Sequence, residues 1–369
     1  MGFTPLPSFV GGLLLSYSTS TLLATQGRIL GCSGVSHATV AGLLLPESPT
    51  NDRKQAWKWA TTAGLVVGGM ILRVVRPQLE TWIGASIFDA PIAIQQLGWV
   101  RILAAGFLVG AGTKVSPFLL LLRGPTVFFS LSLEKLNAPP LTPPPAQLAN
   151  GCTSGHMLIG LARKSKRSLV AVLTFFTTAL LTSTVLFPSP LLSLYSAASK
   201  IPFSLPDTYD AAPPIVALLI LVAPVLSSLP SVSYSLPLPS HLKPVVQSFF
   251  LGLTFTIGLA LAGMTRPTKV LSFFFLPGLA PLAAPAWDPS LAMVALGGLV
   301  PNLFVWNKVL AGWKRPIKND KWECPPVATG KVDSKLVLGS AMFGIGWGAF
   351  SVLLFLARDP LADRDRLQA

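Results

Sequence analysis

Apolar stretches of about 20 residues, the length a helix needs to cross about 30 Å of hydrocarbon, recur near positions 8–25, 59–75, 97–115, 168–187, 213–230, 245–264, 290–310 and 335–357. They alternate with short polar or basic segments. This pattern predicts an all-α integral membrane protein with about eight spans. Between the spans lie shorter apolar pieces, near 28–45, 151–162 and 270–284, which contain Gly, Ser, His or Pro and are too short to cross. Such pieces predict re-entrant helices, tolerated at membrane depth only where protein or a water-filled cavity satisfies the backbone. The opening segment carries no basic n-region and no small-residue cleavage site, so it reads as a first span rather than a removed signal.

A Gly-rich span followed by a short Gly/Ser/Thr motif recurs four times: GGLLLSYSTSTLLATQGRILGCSGVSH, GFLVGAGTK with the later NGCTSGHMLIGLAR, LGLTFTIGLALAGMTRPTKV, and GSAMFGIGWGAF. Each glycine taken singly fits close helix packing, because small residues let backbones approach where lipid supplies no hydrophobic drive. The repetition predicts more. Repeated units of span plus broken helix are the signature of transporters built from internal repeats. We expect a single transmembrane domain over 1–369 with two pseudo-symmetric halves, approximately 1–188 and 213–369, divided near the Pro-containing stretch 188–212.

Composition supports the membrane reading: 51% of residues are hydrophobic and 11% charged, with a mean hydropathy of +0.62. The formal charge of +14 would suggest nucleic acid in a soluble domain. Here the basic residues cluster between apolar runs, as in cytoplasmic loops under the positive-inside rule, so the expected partner is the lipid bilayer and not nucleic acid. Arg163, Lys164, Lys166 and Arg167 read as an inside anchor, as do the lysines and Arg315 between Lys308 and Lys335. Three cysteines, without CxxC spacing, make neither a disulfide framework nor a metal pair. There is no Walker motif, dinucleotide fingerprint or paired carboxylate set, which points away from an enzyme and from any cofactor. Transport would then run on a gradient.

Two motifs place a cysteine beside glycine: Gly31-Cys32-Ser33-Gly34 and Gly151-Cys152-Thr153-Ser154-Gly155-His156. A Gly/Ser/Thr turn entering a helix offers free N–H groups and the positive end of the helix dipole, which attract an anion. A neutral thiol adds a soft contact and a weak S–H donor suited to the terminal sulfur of thiosulfate. The same cysteines also fit as small apolar fillers, and spacing does not separate the two readings. His156 fits either a donor to a passing anion or a structural hydrogen bond, and His37 is equally open. Arg266 could face a vestibule or lie at the interface, while Trp287-Asp288-Pro289-Ser290 reads as a capped helix start.

These segments resemble the YeeE/YedE sulfur-transport family, the thiosulfate uptake permeases, and its fungal branch in particular. The resemblance rests on GRILGCSGVSH, NGCTSGHMLIGLARKSKRSLVAVLTF, GLALAGMTRPTKVLSFF with WDPSLAMVALGG, and GSAMFGIGWGAF. It implies short helices pointing at a central constriction and axial cysteines that hand thiosulfate inward, which carries over to Cys32 and Cys152. The substrate-binding set expected on these grounds is Gly31, Cys32, Gly151, Cys152, Thr153, Ser154 and His156. The resemblance favours the plasma membrane, and the sequence leaves open coupling to a cytosolic sulfurtransferase as a partner.

The chain departs from the family pattern in three places. Gly112-Thr113-Lys114 is separated from Leu148-Ala149-Asn150 by an insertion at 115–147, whose removal would restore GAGTKLANGCTSGHM. Its ends can be encoded as splice signals, which suggests a retained intron. At the C-terminus, Ala349-Phe350 continue into SVLLFLARDPLADRDRLQA where the family has a Gly-x-Cys-Pro-Gly-Pro motif with a third axial cysteine. Cys324 lies before the last span and is not expected to replace it, and Ile159 stands where many members carry another cysteine. The rival readings are a transport-deficient product of an aberrant gene model and a permease for another inorganic anion.

Overall fold

The computed structural model describes residues 3–44, 55–83, 87–88, 152, 154–185, 232–274, 276, 287–324 and 331–356. The described elements are helical: α1 (Pro5–Gln26), α2 (Cys32–Leu44), α3 (Ala56–Ile83), a π-helical turn (Ser154–Gly160), α4 (Lys166–Val185), α5 (Lys243–Leu261), α6 (Pro267–Ser272), α7 (Ser290–Phe304) continuing into a second π-helical turn (Val305–Val309), and α8 (Ser334–Leu356). Six of the eight expected spans coincide with α1, α3, α4, α5, α7 and α8. Four segments, Ala56–Thr81, Lys166–Thr184, Lys243–Leu261 and Ser290–Val309, are long and apolar enough to cross a bilayer. The expected spans near 97–115 and 213–230, the insertion at 115–147 and the boundary near 188–212 lie outside the described residues. Of the expected short helices, 28–45 is present as α2 and 151–162 contains the first π turn, while α6 covers only the start of the third.

Polarity runs opposite to that of a water-soluble bundle. Ser8, Ser16, Ser18, Thr19, Gln26, Thr61, Ser248 and Thr254 are buried, whereas Val66, Met70 and Val74 on α3, Leu169 and Leu173 on α4, and Leu296, Val300 and Phe304 on α7 are exposed. A helix surface of this kind is stable against lipid. Inside, the hydroxyls satisfy themselves along their own helices: Ser18 donates to the Leu14 carbonyl at 2.9 Å and Thr19 to the Leu15 carbonyl at 2.8 Å.

Helix α1 runs through the middle, packed against α5 on one side and α7 on the other, and α5 packs in turn against α3. Small residues set these crossings. A methyl group at Gly12 would stand 2.6 Å from the Val294 carbonyl oxygen, and one at Gly11 would be 2.6 Å from the Gly258 carbonyl oxygen. A methyl group at Gly64 would run still closer to the Phe249 carbonyl oxygen, so α3 and α5 touch main chain to main chain. Pairing residues gives the directions: Thr4 with Ser290 and Ser16 with Asn302 make α1 and α7 parallel, whereas Gln26 with Pro244 and Gly11 with Gly258 make α1 and α5 antiparallel. Helices α4 and α8 form a second pair, with Gly344 against Phe175 and Gly348 against Ala179.

One end of the bundle gathers the C-terminus of α1, the N-termini of α3, α4, α5 and α8, and the loop 310–324. There Gly27, at φ +70°, ends α1 and donates to the Leu23 carbonyl at 2.9 Å, a left-handed cap that glycine adopts without strain. Arg28 then forks onto Glu323 with two contacts of 2.8 Å. Most of the described basic residues lie at this end. The opposite end joins the N-termini of α1 and α7 to α6.

Candidate functional site

The start of α2 meets Cys152 and Ser154, at the entry of the first π turn, beside α4 and α8. The backbone N–H of Cys32 donates to the Ser154 hydroxyl at 3.1 Å, and that of Ser33 donates to the Cys152 sulfur at 3.4 Å. Cys152 Sγ and Ser154 Oγ are themselves 3.0 Å apart. Residues 122 apart in sequence therefore form one closed polar circuit of two N–H groups, a hydroxyl and a thiol. Cys152 is buried against Val172, Phe175 and Phe343, and Cys32 packs against the same group. All three cysteines are free thiols.

Among the described residues nothing stands within 4 Å of where a Cβ would lie on Gly34 or Gly155, while one on Gly31 would stand 3.9 Å from the Gly155 Cα. Gly31, Cys32, Cys152, Ser154 and His156 are thus brought into one neighbourhood. Gly151 and Thr153 lie outside the described residues. His156 Nδ1 pairs with the Ser168 hydroxyl on α4 at 3.0 Å, and its backbone N–H donates to the Cys152 carbonyl at 2.9 Å.

The π turn is fixed from below by Asn302, a buried side chain that the sequence did not single out. Asn302 Nδ2 donates to the Leu158 carbonyl and to the Thr19 hydroxyl, each at 3.1 Å, and its Oδ1 accepts from Ser16 at 2.9 Å. Every polar atom of the amide is used, and α1, α7 and the thiol-bearing turn are tied together. Asn302 follows Pro301, which lacks an N–H and sits where α7 passes into its π turn. Such turns often mark functional positions in helices.

Cys324 is not solvated in its Lys-rich loop. It is buried against Leu23, Ile159 and Leu310, with Trp306 and Trp322 alongside. Burial pushes its thiol pKa up, with the Arg163 guanidinium working the other way. Arg163, expected as part of a basic anchor, is instead buried, with its guanidinium 4.9 Å from the Trp306 ring centre. Lys164 and Lys166, its neighbours, are exposed. No group of three or more His, Cys, Asp or Glu able to hold a metal occurs among the described residues.

Residues 243–356, from α5 to the end of α8, match a family of unknown function, DUF6691. Over 176 residues the chain is 31% identical to a "Probable transporter" of Xylella fastidiosa strain 9a5c, covering 47% of this chain and 90% of that protein. The chain belongs to the family of these transporters. A counterpart from strain Temecula1 is 30% identical over the same length. A further "Probable transporter" of strain 9a5c is 37% identical over 97 residues, 26% of this chain and 60% of that protein. No solved structure matches the chain. Membership of a transporter family, an outward apolar surface and a polar interior together make this a membrane transport protein.

Proposed function

We propose that the chain is a multi-pass permease, in the plasma membrane, for thiosulfate or a closely related sulfur-containing anion, and that Cys32 and Cys152 with Ser154 form its binding circuit. The observation that carries this reading is the direction of the donors. The first N–H groups of α2 are aimed at a thiol and a hydroxyl, both weaker acceptors than an anion. An arriving anion can take over those two N–H groups and be favoured by the positive end of α2. The displaced S–H and O–H groups then turn from accepting to donating, and the sulfur atoms offer a polarizable contact that a sulfate oxygen does not need. The basic end, with Arg163, Lys166 and the loop 310–324, is the cytoplasmic side on the positive-inside rule. A cytosolic sulfurtransferase is the partner class that would draw the sulfur away there.

The insertion supports a second reading, in which the full chain is transport-deficient and the active form lacks 115–147. Both are tested by growth of a thiosulfate-uptake-deficient cell on thiosulfate as sole sulfur source, expressing the chain with and without 115–147. Rescue by either form supports a thiosulfate permease, and rescue by the shortened form alone identifies the insertion as the defect. Rescue by neither form overturns the thiosulfate assignment.

A further inference from the structure

At the end of the bundle opposite the basic loops, Lys269 on α6 and Asp288 just before α7 are 3% and 4% exposed. Lys269 Nζ lies 3.6 Å from Asp288 Oδ2 and hydrogen-bonds to the Thr4 hydroxyl. Asp288 Oδ1 accepts from the Ser290 backbone N–H at 2.9 Å and from the Ser290 hydroxyl, while among the described residues the buried Oδ2 has only the Lys269 ammonium near it, beyond hydrogen-bond distance. The Lys269 stem crosses Gly263, where a Cβ would stand 2.6 Å from its Cδ. Arg266 is near enough to act on Lys269 as a like charge, so among the described residues this corner carries two cations and one carboxylate.

A buried ion pair kept only for structure gains most when it is short and every polar atom is filled. This one is neither: at 3.6 Å it is longer than a charge-assisted hydrogen bond of about 2.7–2.9 Å, and one carboxylate oxygen is left over. The carboxylate is also anchored independently of the lysine, through Ser290. Asp288 therefore keeps its position through Ser290 when Lys269 turns to another partner.

We propose that Lys269 is a second anion station, at which a small inorganic oxyanion replaces the Asp288 carboxylate as partner of the ammonium group. The inference rests on the transport reading and extends it by a site. Val270, next in sequence, packs with Phe274, Ala179 and Leu291, and Trp347 lies against them. Trp347 is 5.6 Å from Phe274 and 5.6 Å from Phe343 between ring centres, and Phe343 covers Cys152. One aromatic set thus separates the charge station from the thiol circuit. The Lys269 station selects for negative charge and the thiol circuit for sulfur. Asp288 serves as the resident counter-ion that holds the lysine between passages.

The test is thermal stabilisation of the purified chain by sulfate and by thiosulfate, read on wild type, on Cys152→Ser, and on the neutral pair Lys269→Met with Asp288→Asn, in which Asn keeps an acceptor for Ser290. The proposal expects sulfate to stabilise wild type and Cys152→Ser alike, and the neutral pair to lose that stabilisation. Sulfate without effect on wild type, or acting equally on wild type and the neutral pair, overturns it. These outcomes do not depend on the thiosulfate assignment, which is read separately from any excess of thiosulfate over sulfate that Cys152→Ser removes. If the neutral pair does not fold, Lys269→Arg decides. It keeps the charge with a different donor geometry and should move the half-maximal sulfate concentration by about threefold or more, whereas an unchanged midpoint overturns the proposal.

Discussion

The backbone N–H of Cys32 donates to the hydroxyl of Ser154 at 3.1 Å, across 122 residues of sequence. That bond and its neighbour from Ser33 to Cys152 close the thiol circuit, and the consequences of disturbing it can be separated by residue. Ser154→Ala removes the acceptor and leaves the Cys32 N–H unpaired in a largely buried place, a loss of about 1–3 kcal/mol. Cys152→Ser keeps an acceptor for Ser33 and should leave the melting temperature in detergent nearly unchanged. Thiosulfate uptake should fall on the order of tenfold in both, since either the donors or the soft contact are lost. Melting curves and uptake rates on the same preparations check the pair.

Open space at Gly34 and Gly155 is expected to be substrate space. Gly34→Leu should fold as wild type and lose transport, because among the described residues nothing blocks a side chain there. Gly64→Ala should do the reverse. Its new methyl would meet the Phe249 backbone and stand 2.9 Å from the Leu253 nitrogen, and overpacking of this kind costs about 1–3 kcal/mol. Comparing yield of folded protein with uptake per molecule distinguishes the two classes.

Asn302→Leu should be among the most damaging single changes in the interior. It leaves the Ser16 and Thr19 hydroxyls and the Leu158 carbonyl without the partners they have now, at about 1–3 kcal/mol for each group that finds no substitute. A melting temperature equal to wild type in detergent would show that the amide does not hold the π turn.

The Arg28–Glu323 pair gives a pH signature outside the membrane. Burial acts against the Glu323 carboxylate, but the Arg28 fork, Asn319 and Lys321 outweigh it and hold its pKa below the usual value of 4.5. The folded pKa is thus lower than the unfolded one. The contribution is fully present above the unfolded value and is lost as pH falls through the folded one. The pair is partly exposed, so its contribution is small, about 1 kcal/mol or less. Glu323→Gln should flatten the acid limb of stability while leaving neutral pH almost unaffected.

The spans were legible because apolar length is a local property: α1, α4, α5, α7 and α8 fall within a few residues of their expected places. Helix α3 runs further, to Ile83 rather than 75, since Arg76 and Glu80 pair at 3.0 Å one turn apart and let a polar surface stay helical. Cysteine beside glycine marked a helix entry at Cys32, where α2 begins, but its contacts with Cys152 and Ser154 had no local signal. Asn302, Lys269 and the burial of Cys324 and Arg163 were not legible either. Each acquires its role only from partners far away in sequence, and a lone Asn or Lys in an apolar run carries no local pattern that announces a partner. Asp288 was seen as a helix start, which its bond to Ser290 reflects, but its ion pair with Lys269 had no signal at all.

The most direct measurement of the central claim is uptake of labelled thiosulfate into vesicles reconstituted with the purified chain, with and without 115–147, beside the Cys32→Ser and Cys152→Ser forms. Thiosulfate uptake should depend on the protein and fall on the order of tenfold in each cysteine variant. Absence of uptake by both lengths of the chain, or uptake that survives loss of both thiols, would contradict that claim.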